Sequence, residues 1–271
     1  MTTLCLTLRQ PLSQRVDLSP LTPDDLSGKT PGQVAAVELA MGNRRVRVDD
    51  LFSLSGTFSS ELEIRNGCDR LDRLGEGMTH GRITVHGGAG AYLGARMSGG
   101  VIEVNGGVGA YAATGMKGGM IHITGDAGDF LAAALPGDHH GMQGGTVVVG
   151  GNAGDRAGDR MRRGMLLIEG NAGDYCASRM VAGTIAVGGT VGRSPGFAMR
   201  RGTLLLLQSP GTLAPTFNNC DEHALGFITL LVRSWRTLPG RFATLPDTRT
   251  RARRYVGDLA NGGCGEILVL A

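Results

Sequence analysis

The stretch Met78-Thr-His-Gly81-Arg-Ile83-Thr-Val85-His-Gly-Gly-Ala-Gly90-Ala-Tyr-Leu-Gly-Ala-Arg-Met97 decides the fold, because its pattern recurs along the chain. Seven methionines mark it: Met78, Met97, Met116, Met142, Met161, Met180 and Met199, at spacings of 19, 19, 26, 19, 19 and 19 residues. Three residues after each stands a glycine (Gly81, Gly100, Gly119, Gly145, Gly164, Gly183, Gly202). Five and seven residues after each stand aliphatic side chains, from Ile83 and Val85 in the first repeat to Leu204 and Leu206 in the last. A further glycine precedes six of the methionines (Gly90, Gly109, Gly128, Gly154, Gly173, Gly192), and Leu71 takes that place in the first repeat.

The two aliphatic positions flank one that is often polar (Thr84, Glu103, His122), the period-two signature of a short strand. Glycines close each strand where the chain must turn through angles that a Cβ forbids. A 19-residue unit cannot bury a face alone, but stacked units place equivalent residues about 4.8 Å apart and supply hydrogen-bond partners on both sides. The expected fold is therefore all-β, a single-stranded β-helix (β-solenoid) with about seven 19-residue rungs and irregular N- and C-terminal caps. The boundaries expected are 1–60 for the N-terminal cap, 61–207 for the glycine-rich β-helix and 208–271 for a C-terminal cap, with an amphipathic helix from Phe227 to Trp235. Leu62-Glu63-Ile64 reads as one irregular rung ahead of the regular array.

Composition agrees. Glycine supplies 46 of 271 residues, well above the usual share of roughly 7%. Only 4% of residues are aromatic, so methionine and aliphatic columns must fill the interior. The glycines follow no three-residue period, which excludes collagen. With 41% hydrophobic residues and a net charge of +3, disorder is excluded too. No apolar run approaches the roughly 20 residues of a membrane span, and the N-terminus lacks a secretion signal. Five scattered cysteines (Cys5, Cys68, Cys176, Cys220, Cys264) form no Cys-x-x-Cys pair, so neither a disulfide framework nor a zinc site is expected, and the cytoplasm is the expected location.

The chain offers few candidate chemical groups. Gly88-Ala-Gly-Ala-Tyr-Leu-Gly94 is similar to a dinucleotide fingerprint, but it recurs with the repeat and leads into another strand, so it reads as a turn. Gly125-Asp-Ala-Gly-Asp129 and Gly151-Asn-Ala-Gly-Asp155 are similar to calcium β-roll repeats, yet lack their nine-residue period, and an Asp column capping turns is the better reading. The 26-residue repeat carries seven extra residues within Leu131–His140, an insertion that must project as a surface loop. Its Asp138, His139 and His140 suggest a contact to another subunit, since adjacent histidines in an extended loop point apart and share a metal poorly. No nucleophile elbow, Walker motif or catalytic carboxylate pair occurs.

All but two of the 27 Lys and Arg residues are arginine, clustered at Arg160, Arg162, Arg163, at Arg200, Arg201 and at Arg249, Arg251, Arg253, Arg254. The first two clusters hold equivalent positions around their methionines and predict a basic stripe along one edge. Such a stripe suits an acidic subunit or an acidic ligand tail. RNA is a poorer partner, because aromatic stacking platforms are not evident.

Read with its flanks, the repeat resembles the C subunit of the formylmethanofuran dehydrogenase family, including that of the bacterial formyltransferase/hydrolase complexes. The matching segments are Gly42-Asn43, Leu51-Phe52-x-Leu54-x-Gly56, the rungs of residues 75–207, and Pro215-Thr216-Phe217 leading into Phe227-Ile-Thr-Leu-Leu-Val-Arg233. The resemblance implies a non-catalytic scaffold among hydrolase-like, formyltransferase and dehydrogenase-like subunits in one-carbon metabolism. That assembly converts formyl-tetrahydromethanopterin to formate through a methanofuran-like carrier, with zinc in a partner subunit. Arg160, Arg162 and Arg163 are then candidate contacts for the carrier's acidic tail. Asp138, His139, His140, Arg200 and Arg201 are candidate interface residues. Two alternatives remain open, a redox-active formylmethanofuran dehydrogenase and a glutamate synthase-like β-helical module.

Overall fold

The computed structural model describes residues 3–57, 60–248 and 250–270; Arg249 therefore lies outside the described residues. Strands dominate, with a few short helices, and the protein is all-β. The seven strands Arg82–Gly87, Val101–Val104, Met120–Ile123, Gln143–Val149, Arg163–Ile168, Thr184–Val187 and Thr203–Leu206 follow one another across a thirteen-stranded sheet. Each lies parallel to the next, and the register joins equal positions of the repeat: Ile83 to Ile102, Ile102 to Ile121, Ile121 to Val147, and so on to Ile185 with Leu204. Outside these strands, a second parallel ladder of single bridges runs Ala89–Val108–Ala127–Ala153–Ala172–Val191. Six consecutive turns of the chain are thus paired through a second set of bridges as well as through the sheet. The pairing of Ile121 with Val147 holds register across the 26-residue spacing, so the extra residues leave the sheet undisturbed.

The inward positions form one core. All seven repeat methionines and the aliphatic residues five and seven positions beyond them are fully buried. The glycine three places after each methionine explains why the pair recurs. At Gly119, φ is +86°, and a Cβ would stand 2.6 Å from the Gly100 carbonyl oxygen and 2.7 Å from the Met97 methyl. The methionine of one repeat fills the space left by the missing side chain of the next.

The outward position between the two aliphatic ones changes character along the stack. Thr84, Glu103 and His122 are half-buried, whereas Val148, Leu167, Ala186 and Leu205 are fully buried. The C-terminal segment covers them. Ile228 and Val232 of the helix Phe227–Ser234, with Trp235 and Phe242, form a second apolar cluster against these four residues. The Trp235 ring packs edge-on to Phe242, and its Nε1–H donates to Met165 Sδ at 2.6 Å.

Segments outside the repeats extend the stack. Glu61–Gly67 pairs parallel to Arg82–Gly87, and Leu4–Leu8 pairs parallel to Glu61–Gly67. At the other end Gly265–Leu270 returns to lie parallel to Thr203–Leu206. Antiparallel strands then close both ends, Phe52–Ser55 against Leu4–Leu8 and Arg251–Gly257 against Gly265–Leu270, with Asn218–Ala224 outermost. A four-stranded sheet (Arg44–Arg47, Glu38–Met41, Val16–Asp17, Leu71–Asp72) completes the N-terminal side. No helix of the described residues is long and apolar enough to cross a membrane.

Candidate functional site

Asp and Asn side chains in the repeats support the backbone of the next repeat. Asp126 Oδ1 accepts from the Asn152 N–H, Asn152 Oδ1 from Asn171 N–H, and Asn171 Oδ1 from Thr190 N–H. A parallel series runs Asp129 to Asp155, Asp155 to Asp174 and Asp174 to Arg193. These side chains cap turns, each through an Oδ1 that accepts from a backbone amide. Among the described residues no group of three or more His, Cys, Asp or Glu could hold a metal ion.

Aromatic rings form a column that the repeat pattern alone does not announce. Tyr92, Tyr111 and Phe130 stack nearly parallel, with centroids 5.4 and 4.7 Å apart. Arg73 covers the Tyr92 ring at 5.0 Å, and Arg156 lies over Tyr175 at 4.7 Å. A signal is present in the sequence: these residues recur five places before their methionines once the insertion is discounted. Tyr92 is covered by Arg73 and Tyr111, and Tyr111 lies between Tyr92 and Phe130.

The insertion decides where charge gathers. A turn closed by the Asp138 N–H donating to the Leu135 carbonyl lifts the loop from the stack, and Gly137 takes the left-handed φ of +90° there. Arg160 Nη1 donates to the Asp138 carbonyl at 3.1 Å and ties the loop down. Beneath it opens a cleft of about 550 Å³ lined by His139, His140, Arg160, Arg179, Val181, Ala198, Arg200 and Asn261. A smaller cleft of about 330 Å³ lies on the loop's other flank, with Arg96, Lys117 and Gln143 facing Asp138 and the same two histidines. His139 and His140 each contribute to the lining of both clefts, and the loop bends at His139.

Arg179 is held by a bidentate carboxylate contact. Its Nε and Nη2 donate to Asp159 Oδ1 and Oδ2 at 2.9 and 2.6 Å, and Ser178 Oγ donates to Asp159 Oδ1 at 2.6 Å. Asp159 is buried, and its carboxylate raises the Arg179 pKa, so that guanidinium is held charged. His140 Nδ1 is buried without a hydrogen-bond partner.

Of the candidate residues, Arg160, His139, His140 and Arg200 line the larger cleft, and Asp138 lines the smaller. Arg162, Arg163 and Arg201 are exposed and line neither. Arg162 and Arg200 do hold equal positions, each N–H donating to the methionine carbonyl of the preceding repeat at 2.8 Å, but they stand two repeats apart with Val181 between them. The stripe is therefore interrupted by an apolar residue. Arg179 and Arg96 escape a reading by clusters because each is a lone arginine one residue before its methionine, visible only when repeats are aligned. Arg251, Arg253 and Arg254 lie elsewhere, on a C-terminal strand, where Arg251 and Arg254 pair with Glu222 and Glu266.

The architecture is a stack of parallel strands in which side chains of one repeat brace the backbone of the next, with basic side chains lining two clefts beside the insertion loop. No family model matches the chain. The C subunit of a tungsten-containing formylmethanofuran dehydrogenase 2 from Methanococcus maripaludis is 32% identical over 96 residues, which is 35% of either chain. The C subunit of the formyltransferase/hydrolase complex of Methylorubrum extorquens is 44% identical over 88 residues, 32% of this chain and 33% of that one. The aligned segment thus spans 33–35% of the length of these curated relatives. A chain in the X-ray structure of the Methylorubrum extorquens formyltransferase/hydrolase complex with methylofuran matches far more fully. It is 43% identical with a TM-score of 0.93, over 98% of this chain and 99% of that one. The chain belongs to the family of C subunits of formylmethanofuran dehydrogenases and formyltransferase/hydrolase complexes.

Proposed function

We propose that this chain is the scaffold subunit of a formyltransferase/hydrolase complex, where formyl-tetrahydromethanopterin is converted to formate through a methanofuran-like carrier. The observation that carries this reading is the near-complete structural match to a chain of such a complex at 43% identity. In this reading the seven repeats wind as a β-solenoid of 19-residue rungs over residues 61–207, between caps formed by 1–60 and 208–271. The parallel registers and the second bridge ladder support that winding. Formyltransferase, hydrolase-like and dehydrogenase-like subunits dock on its flanks in the cytoplasm, and zinc belongs to a partner.

The insertion loop, with Asp138, His139 and His140, and the exposed Arg200 and Arg201 form the interface proposed for a partner. Arg160, Arg162 and Arg163 are proposed to meet the carrier's acidic tail. Charge reversal at Arg162 and Arg163 then lowers carrier retention or assembly, and unchanged subunit and carrier content would contradict that contact. The catalytic part of the reading is tested by assay. The isolated chain is expected to release no formate from formylated carrier, while the reassembled complex does; turnover by the chain alone would overturn the scaffold role.

A further inference from the structure

We propose that the groove along the Ala89–Val108–Ala127 bridges docks an extended, basic segment of a partner subunit, whose neutral oxygens accept from backbone amides that this chain leaves uncapped. None of the groove's lining residues belongs to the clefts beside the insertion loop. The inference rests on the reading above only for the presence of partner subunits.

The first ground is a break in the capping columns. At Asn152, Asp155, Asn171, Asp174, Thr190 and Arg193 the backbone N–H donates to an Asp or Asn oxygen of the preceding repeat. The equivalent amides of Gly107, Ala110, Asp126 and Asp129 donate to no group of the described residues. Their caps are missing because Gly88, Ala91, Gly107 and Ala110 stand where an Asp or Asn would serve them. Backbone strain does not impose the gap. Neither Gly88 nor Gly107 has a left-handed φ, and a Cβ there would have a carbonyl oxygen as its nearest neighbour, at 3.0 and 3.1 Å. Contacts of that size yield to a small shift. A chain that caps this column elsewhere and leaves neighbouring amides open gives up stability at one place, which is the mark of a surface kept for function.

The second ground is shape. A groove of about 500 Å³ lies over these turns, floored by Ala89, Val108 and Ala127 with glycines between them. Without side chains on those glycines, another backbone can approach closely. A helix has spent its carbonyls on internal bonds, whereas an extended chain presents them sideways. Open N–H donors beside a shallow groove therefore select an extended occupant.

The third ground is charge. Asp69 and Asp126 line the groove and no Lys or Arg does. Neither they nor Asp129 has a Lys or Arg within ion-pair distance among the described residues. Such a rim repels an anion and favours neutral acceptor oxygens with a Lys or Arg side chain beside them. Two copies meeting groove to groove would oppose like carboxylates, so the occupant belongs to a different chain.

The test purifies the assembly from its native host through the tagged chain and counts subunits by mass spectrometry. Gly107→Asn with Ala110→Asn restores the caps of Asp126 and Asp129, so the variant chain should melt at or above the wild-type temperature. One partner subunit should nevertheless fall about 10-fold or more relative to this chain. Asp69→Lys, which touches no cap, should lower the same subunit, and it decides alone if the Asn pair melts lower. Cys68 lines one end of the groove and reports its occupancy. Its alkylation should be about 10-fold or more slower in the assembly than in the free chain, as burial under a docked segment requires. A photo-cross-linking residue in place of Asp69 should capture a Lys- or Arg-bearing segment of that same subunit. Capture of a second copy of this chain would overturn the inference. Subunit content within about twofold of wild type in both variants, or equal Cys68 alkylation in assembly and free chain, would overturn it and leave the scaffold reading intact. Recovery of the wild-type chain without other subunits would overturn both.

Discussion

Gly119 shows how the repeat constrains single residues. Its left-handed φ and the approach of the Gly100 carbonyl and Met97 methyl leave no place for a Cβ. Gly119→Ala should destabilise the protein by at least about 2 kcal/mol, combining the left-handed penalty with overpacking, measured as a fall in urea midpoint. The same column logic places Asp174. The Arg193 backbone N–H, and then its guanidinium, hold that carboxyl below its usual 3.8. A depressed folded-state pKa means that the ionised form is the stabilising one. Its contribution is complete above pH 3.8 and is lost as pH falls through the lower folded value. Asp174→Asn keeps an acceptor for the amide and removes the charge. The gap between wild type and variant in thermal melts should therefore be present at neutral pH and close in acid; a constant gap would contradict the pairing. Burial pushes the Cys176 thiol up to about 12, so it should resist thiol reagents until the protein unfolds.

Elements inherit what the columns dictate. The strands and the inward methionine and aliphatic positions were legible in the sequence, because a 19-residue period forces like onto like. The covering of the sheet's outer face does not follow from the period, although the sequence carries a trace of it. The position between the inward aliphatics passes from Thr84, Glu103 and His122 to Val148, Leu167, Ala186 and Leu205, and that change marks where the C-terminal helix lies. Long-range packing of a non-repeating segment leaves only this indirect sign. Trp235→Ala should cost about 3–5 kcal/mol, the usual range for a deleted buried aromatic, and a loss under about 1 kcal/mol would show the helix to be loosely docked. Around the clefts, the insertion loop and its histidines are legible as seven extra residues, while the placement of Arg96 and Arg179 beside the loop is not, because it comes from the fold of the loop, which no local pattern encodes. Arg179→Ala would leave Asp159 buried and unpaired. We expect about 2 kcal/mol of lost stability in denaturant titration, less than for a fully buried pair because the Arg179 side chain is 39% exposed.

At the scale of the molecule, the chain's own termini extend the parallel stack, and antiparallel strands finish both ends, which leaves the flanks as the broad surfaces. Open edges of a long stack would otherwise recruit further strands, and the antiparallel strands at both ends block that route to aggregation. The measurement that bears most directly on this account is purification of the tagged chain from its native host, with subunits identified and counted by mass spectrometry. The account predicts a stoichiometric assembly with a formyltransferase and a hydrolase-like subunit. Recovery of the chain alone, as a free monomer or homo-oligomer, would contradict it.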